Sequence, residues 1–243
     1  MPQRIGFDRK IKRDWIDLGA DAVQQSHDVS AVNALLHKSL ADEITGNDAR
    51  RKSINVLTRI WLRPPDQHAS LCEQAVTFWP TCQSNERLIL HWGLTLLAYP
   101  FFRDVTAHIG RFNRLQTTFT ITELHQAIVA HWGERNTIKY AVPRVTYSLE
   151  DWGMLVRIDT ARGQYQAAPK YATENQALVL WLLECALRAN LAEALPLYDL
   201  LRLPELFPFE LNIELGILHT SSRFLVIREG TDRDMVMLAN GKS

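Results

Sequence analysis

Residues 120–168 have the sequence TITELHQAIVAHWGERNTIKYAVPRVTYSLEDWGMLVRIDTARGQYQAA, which carries signals for two helices followed by a β-hairpin. Thr120 and Glu123 have the spacing of a capping box, in which each side chain accepts a hydrogen bond from a backbone amide at a helix start. Gly133 is placed to end that helix. The turn at Glu134-Arg135 leads directly into a second helix.

The second helix is predicted over about residues 136–152, with an apolar stripe facing the first helix. Pro143 lies inside this range, where a proline lacks an amide donor and costs about 3 kcal/mol. Either the helix kinks there, or it begins at Val142 and residues 136–141 form a separate turn. The second alternative places Arg144 at the helix start.

Two short strands are predicted after the second helix, over residues 154–158 and 164–167, joined by a turn at residues 160–163. The order helix, tight turn, helix, hairpin is that of a winged helix-turn-helix. In that arrangement the second helix can enter the major groove of DNA and the hairpin can lie along the neighbouring backbone. We therefore assign residues 116–171 to a winged helix-turn-helix region.

Together with the sequence on either side of this region, it predicts a mainly α protein with small β-hairpins, of the α+β class. Residues 1–115 are expected to form a helical N-terminal region, because apolar residues recur three and four positions apart. Residues 172–243 are expected to form a C-terminal helix-plus-hairpin region. The length of 243 residues fits one large domain or two small ones.

The C-terminal region begins with a predicted buried helix over residues 174–189, which is expected to continue as helix over residues 191–201, with Pro196, Pro204 and Pro208 breaking it into short pieces. A short helical stretch around residues 211–218 precedes a second predicted hairpin. Its strands are residues 223–228 and 235–238, with a turn at residues 229–232.

The composition, with 47% hydrophobic and 22% charged residues, is that of a globular protein. The longest apolar run, residues 177–189, contains two charged residues and is too short to span a bilayer. No apolar signal segment follows Met1. The three cysteines, Cys72, Cys82 and Cys185, form no CxxC pair, so we expect reduced thiols in a cytoplasmic protein. Because no segment can span a bilayer, no membrane partner is expected.

The formal net charge is zero, but the charges are unevenly distributed. Residues 1–171 hold 21 Lys and Arg against 17 Asp and Glu, whereas residues 172–243 hold 6 against 10. This asymmetry allows a basic surface on the first part and an acidic C-terminal region.

Candidate DNA-binding residues lie outside the apolar stripe of the second helix and on the hairpin. Arginine can donate two hydrogen bonds to guanine, asparagine pairs with adenine edges, and lysine and tyrosine commonly hold phosphates. The alternatives are a merely solvated helix face and a protein-docking module. The candidates are Arg135, Asn136, Lys139, Tyr140, Arg144 and Ser148 on the helix, with Arg157 and Arg162 on the hairpin.

A second basic site is predicted on the helix that begins near residue 50. Arg50, Arg51 and Lys52 are consecutive, and Arg59 follows eight residues after Arg51, close to two helical turns, so those two share a face. Phosphate binding is the functional interpretation and a solvated helix start is the alternative.

Enzymatic function is not expected. The sequence contains no phosphate-binding loop, dinucleotide-binding motif or nucleophile elbow. None of the eight histidines has the spacing of a metal-binding motif, with another histidine or with a cysteine. We therefore predict no catalytic residue, cofactor, metal or small-molecule substrate.

The order of features resembles BrxA, the small helical DNA-binding protein of bacteriophage-exclusion (BREX) defence systems. The resemblance covers roughly residues 30–156, while residues 170–243 extend past a compact member. It implies a non-enzymatic DNA-binding component of a multi-protein antiviral defence system. The segments that carry it are a basic helix (48–62), an apolar helix (87–99), Phe102-Arg103-Asp104, and the winged-helix stretch (136–155).

Three functions are therefore open. The first is an accessory protein of a defence or mobile-element system that binds double-stranded DNA. The second is a protein–protein adaptor in a multi-subunit complex, which the zero net charge favours because most DNA-binding proteins are basic. The third is a dimeric transcriptional repressor, which requires two half-sites about 34 Å apart.

Overall fold

The computed structural model describes residues 5–159, 162–230 and 233–239, and helices dominate it. Two 3-10 turns flank α4, and a third follows α10. The α-helices are α1 (Arg13–Gln25), α2 (Val29–Ser39), α3 (Asn47–Trp61), α4 (Ala69–Phe78), α5 (Ser84–Ala98), α6 (Pro100–Leu115), α7 (Ile121–Trp132), α8 (Asn136–Asp151), α9 (Gln176–Ala189), α10 (Leu197–Leu200) and α11 (Leu215–Thr220).

The strands form three small sheets. One has the order β1-β3-β2 and another the order β5-β8-β7, and both are antiparallel; β4 and β6 form a two-stranded parallel pair. The predicted class, mainly α with small hairpins, is confirmed. The strands are β1 (Phe119–Thr120), β2 (Leu155–Asp159), β3 (Gln164–Ala167), β4 (Tyr171–Ala172), β5 (Ala194–Pro196), β6 (Phe209–Glu210), β7 (Phe224–Glu229) and β8 (Arg233–Leu238).

Both predicted hairpins are present, as β2–β3 and as β7–β8. The turn residues Thr160 and Ala161 of the first hairpin, and Thr231 and Asp232 of the second, lie outside the described residues. The short helical stretch before the second hairpin is present as α11, which begins and ends later than predicted.

The predicted continuation of helix over residues 191–201 is wrong as far as Pro196, and a short helical piece, α10, is present after that proline. Ala194–Pro196 is a strand that pairs with β8, and only four residues of helix follow it. Proline explains the difference, because Pro196 lacks an amide donor and disfavours helix in the residue before it. The segment instead provides the third strand of the β5-β8-β7 sheet.

The second helix of the predicted helix-turn-helix is continuous through Pro143. It begins at Asn136, so the alternative start at Val142 is wrong. The proline deprives the carbonyl of Lys139, four residues earlier, of its helical donor. Because Lys139 is exposed, water can take the place of that donor.

A single buried core joins residues from all three predicted regions. Helix α5 is buried continuously from Leu88 to Ala98 and packs against α9 of the C-terminal region. Helix α6 also contacts the C-terminal region, through the 3-10 turn Pro204–Leu206. None of the helices among the described residues has the length and apolar character needed to cross a membrane.

The contact of α6 with the turn at Pro204 requires a glycine, and this makes the core testable. A Cβ at Gly110 would lie 1.9 Å from the carbonyl oxygen of Pro204, a backbone atom that cannot rotate away. We expect Gly110→Ala to lower the free energy of unfolding, measured in urea, by about 3 kcal/mol or more. Gly216→Ala is the control, because nothing lies within 4 Å of a Cβ there. A loss of equal size in both variants would contradict this packing.

Candidate nucleic-acid interface

Strands β1, β2 and β3 and helices α7 and α8 form a continuous group, called here the 119–167 unit. The predicted capping box is present at its start: the Thr120 amide donates to Glu123 Oε2 at 2.7 Å, and the Glu123 amide donates to Thr120 Oγ1 at 3.2 Å. Strand β1, just before it, pairs with β3 opposite Tyr165. The start of α7 is therefore fixed to the hairpin.

Helix α8 is held against α7 by fully buried apolar side chains. Gly133 ends α7 with a φ of +76°, a conformation that side chains with a Cβ rarely adopt. Trp132, at the end of α7, donates its indole N–H to Asp104 of α6 at 2.9 Å. The two helices are in contact, and their fully buried apolar residues include Leu124 and Ile128 of α7 with Ile138, Ala141, Val142 and Val145 of α8.

The second half of α8 is covered by the segment that precedes α1. The amide of Ile11 donates to Ser148 Oγ at 2.8 Å, and the carbonyl of Ile11 accepts from the Trp152 indole at 2.9 Å. The amide of Arg13 donates to Asp151 at 2.8 Å. The side of α8 that carries Ser148 is therefore an internal surface.

Two sequence-predicted residues are affected by this covering. Ser148 was expected on the outer face, but it is fully buried and donates to the Arg144 carbonyl while accepting from Ile11. Arg144 is half-buried, and its guanidinium donates to the carbonyl of Asp8. Ser148 is excluded from an outer binding face, and Arg144 is held against the protein's own backbone.

The first half of α8 is exposed. Asn136, Thr137, Lys139 and Tyr140 are all exposed, and the Tyr140 side chain keeps 57% of its accessible surface. Arg135, immediately before the helix, is half-buried with its guanidinium 5.8 Å from the centre of the Trp132 ring. The solvent-facing surface of the helix is thus its N-terminal turn and the turn after it.

The two hairpin arginines differ. Arg157 is half-buried, pairs with Glu150 at 2.7 Å, and lies over the rings of Tyr147 and Tyr165. Its hydrogen bond with Glu150 raises the pKa of Arg157. Arg162 is 80% exposed, with Asp159 at 3.6 Å. Of the two, only Arg162 extends into solvent.

The basic cluster on α3 is partly neutralised by one carboxylate. Lys52 and Arg51 both pair with Asp48, at 2.6 and 2.7 Å, and their hydrogen bonds, that of Lys52 first, lower the pKa of Asp48 to about 2. Arg50 donates to the carbonyls of Ala41 and Ile44. All three cations are therefore engaged in contacts at or just before the start of α3.

Arg59 lies farther along α3 and is exposed, although it is not independent of the fold. Its Nε donates to the carbonyl of Ala98 at 3.2 Å, and its guanidinium is 5.6 Å from the centre of the Tyr99 ring. The predicted shared face of Arg51 and Arg59 is thus exposed at both ends, with each guanidinium already bonded within the protein.

Strand β2 carries an apolar feature that was not among the predicted site residues. Val156 and Ile158 are 42% and 45% exposed, whereas Leu155 is buried and Arg157 half-buried. Side chains alternate between the two faces of a strand, so the pattern L-V-R-I-D already placed Val156 and Ile158 together. These two side chains lie on an edge strand of their sheet.

The comparisons with known proteins give no relative of this chain. No family model matches it, and no curated protein or solved structure matches it either. Among the described residues, no group of three or more His, Cys, Asp or Glu side chains could hold a metal ion.

The covering of α8 is tested by Ser148→Ala, which leaves the buried Ile11 amide without its acceptor. We expect the free energy of unfolding to fall by about 1–3 kcal/mol and hydrogen exchange at the Ile11 amide to accelerate. Ser30→Ala, at an exposed serine of α2, is the control and should change the stability by less than about 0.5 kcal/mol. Unchanged exchange at Ile11 would show that this hydrogen bond does not hold the segment on α8.

Proposed function

We propose that this protein binds duplex DNA through the 119–167 unit, as a non-enzymatic accessory protein of a prokaryotic phage-defence or mobile-element system. The division of α8 carries the proposal: its second half is fixed by residues 5–13, while its first half presents polar side chains to solvent. The defence context rests on the resemblance to BrxA. The cytoplasm is the corresponding location, and the free cysteines Cys72, Cys82 and Cys185 agree with a reducing compartment.

The exposed half of α8 has the chemistry that a recognition helix needs. Such helices contact base edges with their N-terminal residues. In the proposed complex, Asn136 donates to and accepts from an adenine edge, and Lys139 donates to a guanine or to a phosphate. Thr137 and Tyr140 hold phosphates beside them, and Arg162 contacts the backbone from the hairpin.

The α3 cluster is left out of the proposed interface. Asp48 pairs with both Arg51 and Lys52 and neutralises one of their two charges, and Arg50 is occupied by backbone carbonyls. A phosphate at this position would have to displace these interactions before binding. Lys139 of the 119–167 unit is exposed and requires no such exchange, because none of the described residues forms an ion pair with it.

A protein–protein adaptor is the second candidate, and it is favoured by apolar side chains on two edge strands. Val156 and Ile158 are exposed on β2, and Leu225 and Ile227 are each 49% exposed on β7. Exposed apolar groups on a strand with an unpaired edge are typical of surfaces to which another chain adds.

Binding is tested with the double variant Asn136→Ala and Lys139→Ala in a titration of labelled duplex DNA at several salt concentrations. We expect affinity at low salt to fall several-fold, and the slope of log K against log salt to become shallower by about 0.9 for the lost phosphate contact of Lys139.

The matched control is Lys38→Ala with Asn55→Ala, which removes the same two residue types from exposed positions on α2 and α3. It should leave the titration unchanged. If the two double variants bind DNA equally, the proposed interface is wrong. Absence of any duplex binding by the parent protein at low salt, together with a stable protein partner lost in Val156→Asp, would favour the adaptor.

A further inference from the structure

A polar cavity lies on the side of the core formed by α4, α9, α11 and the chain just before β7. Its volume is about 570 Å³, within the range of small-molecule sites. Side chains from distant parts of the sequence meet there, and the ones that matter for binding are Ser70, Gln74, Glu184, Arg188, Ser222 and Arg223.

The lining of this cavity includes one carboxylate that is shared by two guanidinium groups. Glu184 is 7% exposed, and it accepts from Arg188 Nε at 2.9 Å and from Arg223 Nη1. Arg223 also donates to Gln74 Oε1, which fixes its orientation. Among the described residues that line the cavity, Glu184 is the only acid, so the cluster carries one positive charge in excess.

An excess positive charge on guanidinium groups that are mostly buried in the wall of an open cavity favours an anion. The Arg188 and Arg223 side chains are only 13% and 22% exposed, so water compensates their charge poorly. His68 nearby is buried, and burial followed by the charge of Arg188 lowers the pKa of His68. The histidine therefore adds no further charge at neutral pH.

Hydrogen-bond donors for such an anion are available in the cavity. Within the described part of the chain, Arg188 bonds to Glu184 through Nε, which leaves its Nη hydrogens for a ligand. Hydroxyl groups of Ser70 and Ser222 line the same space, and Ser70 lies in the first turn of α4, the positive end of the helix dipole. Arginine forks and hydroxyls are the donors that phosphate oxygens prefer.

We propose that this cavity binds a small organic phosphate ester, with its phosphate on Arg188, Ser70 and Ser222. The volume exceeds what a bare phosphate needs, and Leu180 and Ile217 supply apolar wall for the organic part. This site lies apart from the 119–167 unit, to which none of its lining residues belongs. The proposal of a phosphate-ester site is therefore independent of the proposed DNA binding.

The test is isothermal titration calorimetry of the full chain with four probes: adenosine monophosphate, glucose 6-phosphate, inorganic phosphate and adenosine. We expect saturable binding of at least one ester, with weaker binding of inorganic phosphate and none of adenosine. Equal affinity for adenosine and its monophosphate would overturn the phosphate site. Equal affinity for inorganic phosphate and the better ester would overturn the assignment of an organic part.

The decisive variant is Arg188→Gln, which removes the excess charge while Arg223 still compensates Glu184. We expect affinity for the ester to fall about tenfold or more. Arg51→Gln, at an exposed arginine on α3, should bind as the parent does. The double variant Ser70→Ala with Ser222→Ala leaves the ion cluster intact and should also weaken binding of the ester. It tests the site even if Arg188→Gln fails to fold. Undiminished binding in the serine variant and in any folded Arg188→Gln protein would overturn the proposal.

Discussion

Trp92 is the side chain on which the arrangement of the three regions depends. It is fully buried in α5, and its indole N–H donates to the carbonyl of Glu205 in the C-terminal region at 3.0 Å. An indole of this size offers both faces and its edges to packing, so one residue can hold several elements. Its aromatic neighbours are Phe102 of α6, Trp152 after α8, and Phe207 and Phe209 of the C-terminal region.

The consequence of this packing is that the 119–167 unit has a fixed position on the body of the protein. Trp152 contacts Trp92 on one side and donates to the carbonyl of Ile11 on the other, so the end of α8 is anchored from two directions. Its first half projects from this anchor. A surface that is already ordered loses little conformational freedom when a ligand binds, which favours recognition by α8 over recognition by a loop.

The sequence was sufficient wherever the determining interactions are local. The capping box at Thr120 and the period-two strands depend on residues a few positions apart, and both are present in the structure. The burial of Ser148 could not be inferred in the same way, because its hydrogen-bond partner Ile11 is 137 positions away in the sequence. The apolar stripe of α8 gives the side that faces α7, but a second packing surface formed by an extended segment leaves no periodic signal.

The same limit applies to charge. Counting residues gives the first part an excess of four positive charges but not their positions, and ion pairs with Asp48 and Glu150 reduce the local charge at Arg51, Lys52 and Arg157. Paired cations contribute little to the long-range attraction of a phosphate backbone, because the potential of the pair decays faster than that of a single charge. The proposed DNA binding must then depend more on the fit of α8 to a groove than on electrostatic attraction, so base contacts at Asn136 carry more weight than the number of arginines suggests.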